Sequence, residues 1–119
     1  MTFGTTIPEI DVKELALKLQ SADLFVLLDV REPWELGKAK ITDSRLELAP
    51  MSRLSKEGTK ALPGSAQSHD ALIYVLCHHG VRSAQVTNWL IAQGWKNVLS
   101  VRGGIDAYAS GIDAGVGRY

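Results

Sequence analysis

Leu72-Ile73-Tyr74-Val75-Leu76-Cys77-His78-His79-Gly80-Val81-Arg82-Ser83-Ala84-Gln85 is the stretch on which the reading of the whole chain turns. Its first five residues are apolar, with β-branched and aromatic side chains among them, the mark of a short buried strand. The one cysteine of the 119 residues comes next, in a loop that ends in an arginine. Beyond the loop, Ala84, Val86, Leu90 and Ile91, with Trp89 beside them, spell a helix that runs to Gln93, with Gly94 as its C′ residue. A strand, a tight loop and a helix present loop amides at a helix N-terminus, where N–H groups lack helical partners and the dipole is equivalent to about half a positive charge. An anion is stabilised there, and a thiolate is an anion.

A free cysteine titrates at about 8.5, and helix N-termini and neighbouring cations lower such values to roughly 3.5–7.5. Arg82 is permanently charged, while His78 and His79 add charge when protonated. Cys77 is therefore expected to be an activated nucleophile. The competing reading is an inert, buried thiol.

Two further stretches stand in order around this loop. Asp29-Val30-Arg31-Glu32-Pro33-Trp34-Glu35 follows an apolar run, and Gly103-Gly104-Ile105-Asp106-Ala107-Tyr108 follows another. Together with Cys77 to Ser83 they resemble the D-x-R-E motif, the active-site loop and the closing G-G-x-x-x-aromatic motif of single-domain rhodaneses, over Asp11 to about Ala109. The resemblance implies a small α/β sulfurtransferase in which Cys77 carries sulfur as a persulfide. It also implies that the Gly103-Gly104 turn packs beside the cysteine loop. One departure is local. The family commonly shows a Gly-His-Ile-Pro-Gly-Ala-like turn where this chain has Ala39-Lys40-Ile41-Thr42-Asp43-Ser44, which keeps only the isoleucine.

The length suits one domain, 1–119, with a core over about 8–109 and an irregular tail over 110–119. Apolar residues make up 45% and charged residues 22%, and thirteen basic residues balance thirteen acidic ones. Nothing in that balance favours nucleic acid or an anionic membrane. One cysteine excludes an internal disulfide and fits a reducing compartment. Met1 to Pro8 lacks the basic and apolar regions of a signal peptide, and no apolar run approaches the roughly 20 residues of a bilayer span. The cytoplasm is the expected location.

Along the chain, a loose lead and a short strand around 8–10 precede Asp11, an N-cap whose capping-box partner is Glu14. Val12, Leu15, Ala16 and Leu19 fall on one face of a helix of about ten residues. Leu24 to Leu28 is apolar on both faces, as a central parallel strand is. Asp29 ends it, and Pro33 opens a short helix in which Trp34 is expected to pack. Asp29 and Arg31 are expected to pair and brace the strand end rather than to touch substrate. Arg45 to Pro50 suits a short strand, Met51 to Leu62 a weak helix interrupted over 55–58, and 63–69 a loop with His69 exposed and unpartnered. Val98 to Val101 is a further strand, and Gly103 and Gly104 free the backbone for a tight turn into a short helix through Tyr108. Strands alternating with helices give an α/β fold, a mainly parallel central sheet with helices on both faces.

The chemistry expected is attack by Cys77 on the outer sulfur of a small donor, thiosulfate or a persulfide, and passage of that sulfur to a thiol acceptor or a sulfur-accepting protein. Backbone N–H groups from His78 through Gly80, Val81, Arg82 and Ser83 would hold the anions, with Arg82 and a histidine on the donor's charged end. Asp29, Arg31, Gly103 and Gly104 are support. No cofactor or metal is expected, since three consecutive donors diverge. Phosphatase chemistry also uses a cysteine loop ending in arginine, but such loops place five residues between the two. Here only His78, His79, Gly80 and Val81 intervene. A non-catalytic interaction or carrier module is the third reading.

Overall fold

A computed structural model describes residues 6–119. The loose lead expected before Pro8 falls mainly on 1–5, outside the described residues. The elements are β1 (Glu9–Ile10), α1 (Val12–Gln20), β2 (Val26–Asp29), β3 (Leu46–Leu48), α2 (Met51–Glu57), β4 (Leu72–Leu76), α3 (Val81–Ala92), β5 (Asn97–Val101) and α4 (Gly104–Gly111). Short 3-10 turns cover Pro33–Gly37, Gly58–Ala61, Gly64–Ala66 and Ala114–Val116.

The five strands form one parallel sheet in the order β1-β5-β4-β2-β3. Side chains alternate across it with the strand period of two. Val26, Leu28, Ile73, Val75 and Cys77 point to a core completed by Leu54, Val86 and Leu90 of α2 and α3. Leu27, Tyr74 and Leu76 point to the opposite core, closed by Leu15, Ile105 and Tyr108 of α1 and α4. Both faces are covered, so β4, and β2 up to Leu28, read as unbroken apolar runs. The fold is the α/β sheet with helices on both faces that the alternation predicts.

Local chemistry fixes the element ends. The capping box closes α1, with Glu14 N–H on Asp11 Oδ1 at 2.8 Å and Asp11 N–H on Glu14 Oε1 at 3.2 Å. The segment that departs from the family's usual turn is held by Arg45. Its Nε bonds Asp43 Oδ1 at 2.8 Å, and its Nη2 reaches Leu19 O at 2.9 Å to cap α1.

Four expectations are corrected. Leu24 is 92% exposed and the strand starts at Val26, because α1's exit turn occupies the preceding residues. Trp34 does not pack and is 65% exposed, since Glu35 is the buried residue of its 3-10 turn. α2 runs through 55–57 and stops at Gly58, whose φ is +70°. His69 is exposed but partnered, its ring 4.3 Å from that of Trp95.

Candidate active site

Cys77 follows the last residue of β4, and Asp29 is the last of β2, so both lie where strand carboxyl ends open towards ligands in parallel sheets. The loop after Cys77 turns at Gly80, the N-cap of α3, with φ +98°. A Cβ at that residue would stand 3.0 Å from Gly103 N, so only glycine fits. This turn folds the chain back over the sulfur. Gly80 N–H lies 3.1 Å and Ser83 N–H 3.3 Å from Cys77 Sγ, and Ser83 Oγ is at 3.4 Å. Ser83 Oγ in turn shares a 2.8 Å hydrogen bond with Ser100 Oγ, and both serines are fully buried. Cys77 itself is 1% exposed.

The Gly103-Gly104 turn packs beside this loop. Gly104 has φ +63°, and a Cβ on it would fall 2.5 Å from Cys77 O. That close approach lets the first turn of α4 hold the loop carbonyls, Ile105 N–H on Cys77 O at 2.8 Å and Asp106 N–H on His78 O at 3.0 Å.

Arg82 does not point at the sulfur. Its Nη1 and Nη2 grip Glu35 Oε2 and Oε1 at 2.7 and 2.8 Å, a bidentate ion pair. Glu35 also accepts from Glu32 N–H and Tyr119 OH, both at 2.8 Å. Arg82 foremost, against the cost of burial, brings the Glu35 carboxyl from 4.5 down to about 2. The pair raises Arg82 in return. The guanidinium expected on a donor's charged end is thus paired with Glu35 in this structure.

Asp29 and Arg31 form a second, fully buried pair. Arg31 Nη2 meets Asp29 Oδ2 at 2.7 Å and Nε meets Oδ1 at 3.0 Å. The last guanidinium nitrogen, Nη1, reaches Glu35 O at 3.3 Å and Tyr119 OH at 3.1 Å. All of its side-chain nitrogens face protein.

His78 and His79 do not diverge. Their rings stack with centroids 3.8 Å apart, and Tyr119 stacks on the other face of His78 at 3.7 Å. Burial, then neighbouring His79, lowers the His78 pKa, which favours the neutral imidazole. His79 is mostly exposed, with Nδ1 3.9 Å from Asp106 Oδ2. His78, His79 and Asp106 are the one group of three metal-type donors among the described residues, within 4.8 Å of one another. Asp106 is already held by Arg118 at 3.1 Å, and His78 Nε2 by the Tyr119 main-chain oxygen at 2.8 Å.

Sequence reasoning missed three residues here. Glu35 stands inside the quoted motif, yet nothing local pairs it with an arginine 47 positions on. Ser100 looks like any strand serine. Tyr119 lies in the segment expected to be an irregular tail, whereas α4 extends to Gly111 and Ala114–Val116 form a further turn before Tyr119 reaches the loop.

The parallel sheet with a cysteine loop at a strand end defines a rhodanese-type α/β domain. The family model for the Rhodanese-like domain matches residues 11–110, and the chain belongs to that family. It is 34% identical over 117 residues to the Rhodanese-like/PpiC domain-containing protein 12, chloroplastic, of Arabidopsis thaliana, covering 95% of this chain and 38% of that protein. It is 33% identical over 108 residues to a sulfurtransferase of Allochromatium vinosum, covering 87% of this chain and 89% of that one. The crystal structure of a rhodanese-like domain protein from Staphylococcus aureus superposes with a TM-score of 0.70 at 27% identity, over 86% of this chain and 91% of that one. These likenesses support a transferase of the rhodanese family and sulfur transfer in general. No described helix is long and apolar enough to cross a membrane.

Proposed function

We propose that the chain moves sulfane sulfur through a persulfide on Cys77. The observation that carries this is the convergence of two backbone N–H groups and a serine hydroxyl on Cys77 Sγ within 3.4 Å, at the N-terminus of α3. The Cys77 thiolate attacks the outer sulfur of the donor. The donor's S–S bond breaks, and its electron pair leaves with sulfite from thiosulfate or with a thiolate from an organic persulfide. Cys77–S–S⁻ then presents its terminal sulfur to the loop amides, which stabilise that anion as they did the first. An acceptor thiolate takes the outer sulfur and regenerates the Cys77 thiolate, a two-step covalent exchange.

The donor's charge falls on the backbone, because Glu35 already occupies Arg82. Four residues between Cys77 and Arg82 disfavour a loop wide enough for a phosphoryl group. The lone thiol requires a reducing setting to stay free, for which the cytoplasm is the proposed compartment. A carrier that loads sulfur without turning over is the second reading, favoured by the 1% exposure of Cys77.

Intact mass after incubation with thiosulfate or an organic persulfide tests the proposal, alongside thiocyanate formation on adding cyanide. One added sulfur that is lost to cyanide, and absent from Cys77→Ala, is the expected result. Sulfur gain with no onward transfer selects the carrier. No gain from either donor by a reduced, alkylatable Cys77 refutes both.

A further inference from the structure

The segment after α4 returns to the cysteine loop and is fastened along its length. Lys40 N–H donates to Val116 O at 2.9 Å. Gly117, with φ +96°, passes so near the Pro33–Gly37 turn's exit that a Cβ would lie 3.2 Å from Ala39 Cα. Arg118 pairs with Asp106, whose own N–H holds His78 O. Tyr119 then makes four contacts. Its ring lies on His78 at an interplanar angle of 8°, and its main-chain oxygen is 2.8 Å from His78 Nε2. Its hydroxyl accepts from Arg31 Nη1 and donates to Glu35 Oε1. The family match stops at residue 110, so every one of these contacts comes from chain beyond it.

We propose that Tyr119 is a positioning residue for the cysteine loop: its ring fixes His78, and its hydroxyl fixes the Glu35 carboxylate that grips Arg82. One phenol thus controls side chains from both sides of the loop. His78 sits between two rings, His79 and Tyr119. Removing Tyr119 leaves the imidazole stacked on one side and free to turn. Glu35 Oε1 receives Arg82 Nη2 and the phenol, while Oε2 receives Arg82 Nη1 and Glu32 N–H. Without the phenol hydroxyl the carboxylate loses a neutral donor, and Arg31 Nη1 keeps only Glu35 O at 3.3 Å. The partly exposed Arg82 then gains room to swing, and with it the first turn of α3.

The charged and titratable groups that bear on His78 are His79, Asp106 and Glu35, together with Tyr119. Water reaching the uncovered ring removes much of the burial that holds it neutral. The test compares Tyr119→Ala and Tyr119→Phe in the full chain by NMR titration of His78 and by the single-turnover rate of sulfur loading on Cys77. Only the loading arm rests on the sulfurtransferase proposal. In Tyr119→Ala residue 119 keeps the main-chain oxygen that accepts from His78 Nε2 while the ring's share of the burial is lost, so the His78 midpoint rises and loading slows about tenfold, as misplaced reacting groups do. Tyr119→Phe keeps the ring, so the His78 midpoint stays at the parental value while loading slows less. A His78 midpoint and a loading rate in folded Tyr119→Ala equal to the parent's overturn the proposal. Should Tyr119→Ala fail to fold, Tyr119→Phe decides, and a His78 midpoint displaced in that variant overturns the stacking role. If the parent itself takes up no sulfur, the sulfurtransferase proposal falls and the His78 titration alone decides the positioning.

Discussion

Ser83→Ala separates what holds the sulfur from what holds the fold. With Cys77 ionised, its Sγ accepts from Gly80 N–H, Ser83 N–H and the Ser83 hydroxyl at 3.4 Å. Ser100 must then donate to Ser83 across their 2.8 Å contact. The substitution deletes the third bond to the anion. A hydrogen bond to a charged group contributes about 1.5–3 kcal/mol, and at this length the lower end applies. About 1.5 kcal/mol corresponds to roughly a tenfold fall in alkylation rate at a fixed pH. The same substitution strands the Ser100 hydroxyl in a fully buried place, at a cost of about 1–3 kcal/mol of stability. Ser83→Ala/Ser100→Ala removes that orphan. The double variant should therefore recover stability in urea while alkylating as slowly as the single one. Iodoacetamide kinetics and equilibrium unfolding read the two quantities independently. A parental alkylation rate in folded Ser83→Ala, or a double variant whose stability losses simply add, refutes the reasoning.

Other substitutions test the neighbouring contacts. Arg31→Ala leaves Asp29 fully buried without its counter-ion and should cost about 3–5 kcal/mol in denaturant unfolding. The apolar pair Asp29→Leu/Arg31→Met should cost less than Arg31→Ala alone. Glu35 has its pKa lowered from 4.5 to about 2, so its stabilisation is complete above pH 4.5 and is lost as pH falls towards 2. That loss is of the order of 3 kcal/mol, and Glu35→Gln should flatten this part of the stability–pH curve. Gly104→Ala forces a left-handed residue against Cys77 O and should lower the melting temperature while slowing sulfur loading, since the same backbone carries the α4 hydrogen bonds to the loop.

How much of this was legible in the sequence follows from how local each determinant is. The capping box at Asp11 and Glu14, the apolar run of β4 and the turn at Gly103-Gly104 signal their structure within a few residues. So does the Asp29–Arg31 pair, two positions apart. The partner of Arg82 was not legible, because the loop and the Pro33–Gly37 turn meet only when β2 and β4 lie side by side. Tyr119 carried no signal at all. A tyrosine after three glycines reads as tail, and its contacts with Arg31 and Glu35 span 88 and 84 positions. Trp34 failed differently: hydrophobicity argues for burial, but a five-residue turn has one inward side, and Glu35 took it.

The pairing of charges bears on how the loop works. Arg31, Arg82 and Arg118 all lie in or beside the site, and each faces a carboxylate, Asp29, Glu35 and Asp106 respectively. Burial and His79 hold His78 towards its neutral form. The side chains around Cys77 thus come close to electrical balance, and the uncompensated positive field is that of the backbone at the start of α3. A backbone field does not depend on which side-chain rotamer is populated, and it acts on the sulfur rather than on a donor's remote end. On the proposed persulfide route, such a site favours anionic sulfur through the two amides that face Cys77 Sγ, Gly80 N–H and Ser83 N–H. The ion pairs then serve as struts, fixing the turn, the loop and the returning segment so that the amides keep their aim.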